Sequence, residues 1–131
     1  MALTKTSGRQ PVLSATIPFT FEDFTSGVAV EAIDLPGGAY IVGGEVVITT
    51  AFNTSSSDAL EVGDSSAVNA LKSSFSVQST GITALVPYQG SIATKDAVTL
   101  ELTSVGTAAT AGAGFLRVSY VIDGRATDVQ P

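Results

Sequence analysis

The sequence predicts an all-β fold: an antiparallel β-sandwich or jelly-roll-like barrel, with at most one short helix near residues 65–72. Three observations carry that expectation. Apolar and polar residues alternate with a period of two in several runs, β-branched residues crowd the longest run, and Gly, Pro, Asn and Ser clusters separate the runs at short intervals.

In chain order, residues 1–12 are polar and contain Gly8-Arg9-Gln10-Pro11, which reads as an arm that becomes ordered against a partner. A single β domain is expected over 13–123, and 124–131 form a short polar tail. The first strand falls near Leu13–Phe21, and Pro18, which lacks an N–H, marks it as an edge or bulged strand. Val28 and Val30 alternate with Ala29 and Glu31 before the turn Leu35-Pro36-Gly37-Gly38. The β-branched run Tyr40–Phe52 follows, and Gly43-Gly44 within it predicts a bulge or sharp bend. Asn53–Asp58 is turn chemistry, Ala59–Val62 a strand, and Gly63-Asp64 a bend. Ser65 or Ser66 is placed to cap a helix of one or two turns that carries Val68 and Leu71 inward. Short strands are expected near 75–79, 82–87 and 90–94. In 96–104, Val98, Leu100 and Leu102 face one way while Thr99, Glu101 and Thr103 face the other. In 114–122, Leu116, Val118, Tyr120 and Ile122 alternate with Phe115, Arg117, Ser119 and Val121, ahead of an Asp123-Gly124 turn.

The inventory excludes most chemistry. The chain of 131 residues has no His and no Cys, which rules out a Ser–His–Asp triad, a thiolate nucleophile and the common kinds of zinc site. A carboxylate pair is the catalytic design left over, and no spacing among the acids selects one, so the chain is expected not to be an enzyme. No cofactor is expected, since none of the glycines builds a phosphate loop. Asp58, Glu61 and Asp64 form the most suggestive acidic group for Ca²⁺, although solvated turn acids are the favoured reading. Asn53-Thr54-Ser55 fits a glycosylation triplet of a kind that occurs often by chance.

The net charge of -6 and six scattered cations (Lys5, Arg9, Lys72, Lys95, Arg117 and Arg125) argue against nucleic acid as a partner. A membrane role is not expected either, for want of a long apolar run. Only 14% of residues are charged, against about 25% in an average domain. That leaves two readings: a surface buried in an assembly, or the Ser/Thr-rich coat of a secreted β protein. Phe19, Phe21 and Phe24 are core residues or anchors for a neighbouring subunit, core being the better fit. The absence of Trp weighs against a sugar-stacking surface.

The stretch Gly44-Glu45-Val46-Val47-Ile48-Thr49-Thr50-Ala51-Phe52-Asn53, followed by Leu60-Glu61-Val62-Gly63-Asp64, resembles small virion proteins of tailed bacteriophages, and within them the capsid decoration (cement) proteins. The resemblance implies a β-rich subunit that binds the major capsid protein on the outer head surface and associates with itself, as a trimer. It also implies synthesis in the host cytoplasm and residence in the virion. Contacts are then expected from the arm and the strand faces, at Leu3, Arg9, Pro11, Phe19, Phe115 and Arg117. A receptor- or carbohydrate-binding β module of a fibre or secreted protein is the alternative, together with a tail tube or tail-completion subunit.

Overall fold

The computed structural model describes residues 11–86, 91–92 and 96–122. Most of the expected arm, the tail and the Asp123-Gly124 turn lie outside them. The described residues form nine strands: β1 (Leu13–Thr20), β2 (Ala29–Leu35), β3 (Ala39–Thr50), β4 (Ser57–Gly63), β5 (Lys72–Ser76), β6 (Gly81–Ala84), β7 (Ser91–Ile92), β8 (Asp96–Val105) and β9 (Ala113–Ile122). They build two antiparallel sheets. The first has the order β1-β9-β3-β6, with β7 also on β3, and the second has the order β2-β8-β4-β5.

Alternation explains why two sheets form and pack face to face. In β8, Val98, Leu100 and Leu102 are buried, whereas Thr103 is exposed and Glu101 half-buried. In β9, Leu116 and Val118 are buried and Arg117 is exposed. The core gathers Phe19, Ile41, Val46, Ile48, Leu116 and Val118 from the first sheet, and Ile33, Leu35, Leu60, Val62, Val98, Leu100 and Leu102 from the second. β1 is an edge strand, as Pro18 requires, because it pairs with β9 alone. The Gly43-Gly44 expectation also holds: the β3–β9 register slips between Ile41 and Gly43. Gly112, at φ +147°, lies under the Phe52 ring, where a Cβ would sit 2.7 Å from the ring carbons. That ring completes an aromatic trio with Phe19 and Phe24, at centroid separations of 5.5 to 6.4 Å.

Two local expectations are corrected. Residues 65–72 form no helix; they make a turn organised by Asp64, whose Oδ1 accepts from the Ser66 and Ala67 N–H groups and the Ser66 hydroxyl. The Asp64 N–H donates to the Ala67 carbonyl, opposite in direction to a helical bond, so the chain turns where a helix would have continued. Leu71 is buried as expected, but Val68 is 38% exposed. The only helical turn among the described residues is a 3₁₀ turn at Phe21–Asp23, closed by the Asp23 carboxylate accepting the Thr20 N–H at 2.8 Å. β5 ends at Ser76, short of the expected 79. Val77 leaves the ladder and is fully buried, its N–H on the Asp58 carbonyl and its own carbonyl on the Phe52 N–H.

At this end of the sandwich Asp58 is 1% exposed, on the inner face of β4. Its Oδ1 accepts the hydroxyls of Thr54 and Ser104, each at 2.6 Å, and its Oδ2 accepts the Thr54 N–H at 2.9 Å and Gln78 Nε2 at 3.0 Å. Gln78 Nε2 also donates to the Thr54 carbonyl at 2.7 Å. Burial pushes the carboxyl pKa up, but the hydrogen bonds from Ser104, Thr54 and Gln78 outweigh it and hold the group below the ordinary carboxylate range. The carboxylate thus joins the β3–β4 and β5–β6 connections to β8.

Replacing Leu100 or Val118 with Asp is expected to abolish the cooperative thermal transition, because an unpaired buried charge costs several kcal/mol. Thr103→Asp, on the outward side of β8, should melt like the parent. Asp58→Ala strands several buried donors and should lower the unfolding free energy by about 2–4 kcal/mol. A folded pKa below the unfolded value of about 3.9 stabilises the fold at higher pH, and that contribution disappears as pH falls through the folded pKa. Denaturant titrations from pH 7 down to about pH 2 should therefore show a steeper loss for the parent than for Asp58→Asn. Parallel curves would rule out that linkage.

Candidate interaction surface

Among the described residues, no three His, Cys, Asp or Glu side chains come together in a way that could hold a metal ion. The Asp58/Glu61/Asp64 calcium candidate is corrected by strand geometry. Asp58 and Asp64 lie six residues apart along an extended chain, about 20 Å at 3.3 Å per residue. Asp58 is consumed by its buried network and Asp64 by its turn. Glu61 stands on the outer face of β4, directly opposite Glu101.

The two outer faces differ in character. Residues paired across antiparallel strands share a face, so the register of the first sheet can be read row by row. One row is Pro18 on β1, Phe115 on β9, Val47 on β3 and Ile82 on β6. It is apolar across four strands, about 14 Å at the usual strand spacing, and it ends on Ile82, which is 73% exposed. The next row is Thr16, Arg117, Glu45 and Ala84, where the Arg117 guanidinium pairs with the Glu45 carboxylate. That pair neutralises the charge of the row. Tyr40 and Val42, at 39% and 46% exposure, extend the apolar character along β3.

The second sheet carries acids outward. Glu101 faces Glu61, and Glu31 stands one row away beside Thr99. Two carboxylates directly opposite each other repel, so this face suits water better than a protein contact. Toward the other end of the face the 64–71 turn folds down over Gly63, where any side chain would collide with the Ala67 and Val68 backbone. The turn thereby shields Thr99, whose Oγ1 has no protein hydrogen-bond partner.

Two clefts open at the margins. One, of about 230 Å³, lies between edge strands β1 and β2 and is lined largely by Ile17, Phe19, Phe24, Val30 and Leu100, with Asp23 and Glu31 among its walls. The other, of about 280 Å³, is bounded by Phe21, Phe24, Leu102 and Ala108 near the Asp58 network. Both are smaller than the 300–1,000 Å³ usual for small-molecule sites.

Of the residues expected to make contacts, Phe115 and Arg117 lie in adjacent rows of the first sheet's outer face, and Pro11 is exposed just before β1. Phe19 is corrected: at 5% exposure it belongs to the core and the aromatic trio, so it cannot anchor a neighbour. Leu3 and Arg9 lie outside the described residues. Pro18, which the sequence marks only as an edge or bulge residue, and Val47 and Ile82 are not among the contacts expected from sequence. Val47 had a signal, since period two sets it opposite the buried Val46 and Ile48. Ile82 had none, because only tertiary pairing of β6 with β3 brings it into the row.

No family model and no curated protein matches the sequence. The fold does have counterparts among solved structures. A chain of the acidic stable capsid structure of Helicobacter pylori bacteriophage KHP30 is similar with a TM-score of 0.65 and 18% identity, over 85% of this chain and 87% of its own. A chain of the capsid asymmetric unit of cyanophage Pam1 gives 0.64 and 17% identity, over 93% of this chain and 91% of its own. A chain of the capsid of Ralstonia phage GP4 gives 0.65 and 16% identity, over 93% and 90%. Coverage near nine-tenths in both directions means that the matched chains are about as long as this one. What they share with it is a whole-length sandwich fold.

Proposed function

We propose that this chain is a bacteriophage virion structural protein: a capsid decoration subunit that binds the outer head surface and stabilises the shell. The observation that carries the reading is the near-complete, mutual overlap of its fold with chains from three different phage capsid structures. The reading is further supported by a sequence in which only 14% of residues are charged and by the apolar row from Pro18 to Ile82.

The mechanism is linkage. A subunit that binds the closed shell but not separated capsid subunits lowers the free energy of the closed state by RT ln(1 + [L]/Kd), about 4 kcal/mol per site at a thousandfold excess over Kd. The first sheet's outer face would lie against the major capsid protein, with its apolar row dried by contact and the Glu45–Arg117 pair alongside. The acidic face of the second sheet would point to solvent. Copies would associate around a three-fold position, since closed symmetry is the default for such assemblies. The protein would have no enzymatic activity, and its place would be the virion after synthesis in the host cytoplasm.

Cosedimentation with undecorated heads tests this. The parent should bind and raise the temperature at which heads open. Ile82→Asp, at an exposed position that leaves stability within about 0.5 kcal/mol, should weaken binding at least tenfold, the effect expected when a charge enters an apolar contact. Glu101→Lys on the opposite face should bind like the parent. A parent that fails to pellet with heads, or an Ile82→Asp variant that binds equally well, would contradict the proposal.

A further inference from the structure

We infer that β6 is an open strand edge through which two copies of this chain pair, antiparallel and about a two-fold axis at Thr83. The pairing goes beyond the proposed function: it is separate from head binding and from the three-fold association, so each can fail without the others.

An exposed strand edge invites pairing with another chain unless something blunts it. The two sheets end on β1, β2, β5 and β6, and three of these four edges are blunted. β1 carries Pro18, which has no N–H to offer. β2 slips in register between Glu31 and Ile33 and carries the acids Glu31 and Asp34. β5 carries Lys72, and its pairing with β4 slips between Leu60 and Val62. β6 has no proline, no charge and no slip against β3, and no charged residue lies between Lys72 and Lys95. Ile82, at 73% exposure, stands on this edge.

The main chain defines what the edge offers. The Leu85 N–H donates to the Gly44 carbonyl at 3.0 Å, which makes those two residues a hydrogen-bonded pair. Such pairs recur at every second residue of an antiparallel ladder, so the next are Thr83 with Val46 and Gly81 with Ile48. Ile82 and Ala84 therefore turn their N–H and C=O groups away from β3, where no strand among the described residues meets them. The next outward N–H, on Val86, is taken by the Leu71 carbonyl at 2.8 Å, which closes the edge beyond Ala84.

The occupant that fits is the same edge of a second copy. With the axis at Thr83, Ile82 lies opposite Ala84 of the second copy, and Ala84 opposite its Ile82. Each of these pairs exchanges both N–H···O bonds, and no outward group of Ile82 or Ala84 is left over in either copy. An edge that pairs with itself sets its side chains against their own kind, which like charges would oppose and this uncharged strand permits. Each Ile82 then lies beside a methyl group of the other copy, and the apolar row of the first sheet runs on across the pair.

The chain has no cysteine, so Thr83→Cys tests the axis directly. Facing residues of a pair without hydrogen bonds sit about 4.5 Å apart at Cα, within the roughly 4.4–6.8 Å that a disulfide spans. The full-length variant should oxidise to a covalent dimer on a non-reducing denaturing gel, while Thr103→Cys, on the far outer face, stays monomeric. Ala84→Pro removes an outward N–H that β3 does not use, so the melting transition should persist. It should weaken self-association by about tenfold or more in sedimentation, and slow the cross-linking of Thr83→Cys to a similar degree. In the parent, exchange of the Ile82 and Ala84 amides should be slow in concentrated protein and fast in dilute protein. A folded Thr83→Cys that forms no covalent dimer, or a folded Ala84→Pro that associates like the parent, overturns the inference. If either variant unfolds, amide exchange decides. Protection that persists on dilution assigns the edge to a segment of the same chain, and protection that arises only on heads assigns it to the capsid protein. Either result, or fast exchange at every concentration, overturns the pairing.

Discussion

A buried carboxylate sets one end of this molecule. Asp58 is removed from water and surrounded by donors from Thr54, Gln78 and Ser104, which belong to three different parts of the chain. A carboxylate in that position is tolerable only because its oxygens are hydrogen-bonded, and losing any donor would expose the cost of burying charge. The arrangement forces the β3–β4 connection, the β5–β6 connection and β8 to meet at one place. Phe52, within the β3–β4 connection, is then held over Gly112, and its contact with Phe19 and Phe24 closes the core. The residues that carry the phage-protein resemblance, Phe52 and Asn53 among them, thus have structural work. Asn53 ties its loop to Thr110 and Ala111 across the gap between β8 and β9.

A frame fixed in this way can present two faces of opposite character without bending. The first sheet has β9 and β3 at its centre, and their register aligns Phe115 with Val47, and Arg117 with Glu45. The second sheet sets Glu61 against Glu101. Apolar area on one side favours contact, since burying it contributes roughly 25 cal/mol per Å², while paired acids on the other favour water. This asymmetry gives a subunit a way to lie on a larger surface in a single orientation, and the low overall charge reduces what must be desolvated when it does.

Much of the fold was legible in the sequence because its signals were local. Alternation in β8 and β9 assigned Leu100, Leu102, Leu116 and Val118 to the core, Pro18 placed β1 at an edge, and Gly43-Gly44 marked the bulge. The pairing order was not legible: six of the eight connections between consecutive strands cross between sheets, so β9 finds its partners β1 and β3 far away in sequence. The 65–72 segment carries real helical spacing at Val68 and Leu71, but the Asp64 N–H donates to the Ala67 carbonyl and the chain turns instead. The surface was half legible. Phe115 and Arg117 followed from alternation, whereas the row they help form appears only when the register of four strands is known. Asp58 reads as a turn acid from sequence because nothing local signals that Gln78 and Ser104, far along the chain, will join Thr54 in enclosing it.

The proposed function has the sandwich dock on a phage head through the outer face of its β1-β9-β3-β6 sheet. Subnanometre imaging of heads with and without the added protein tests it most directly. Docking in this orientation predicts additional density on the outer shell, with that sheet against the capsid and the Glu61–Glu101 face toward solvent. Density confined to the tail, no added density, or the acidic face against the shell would contradict it.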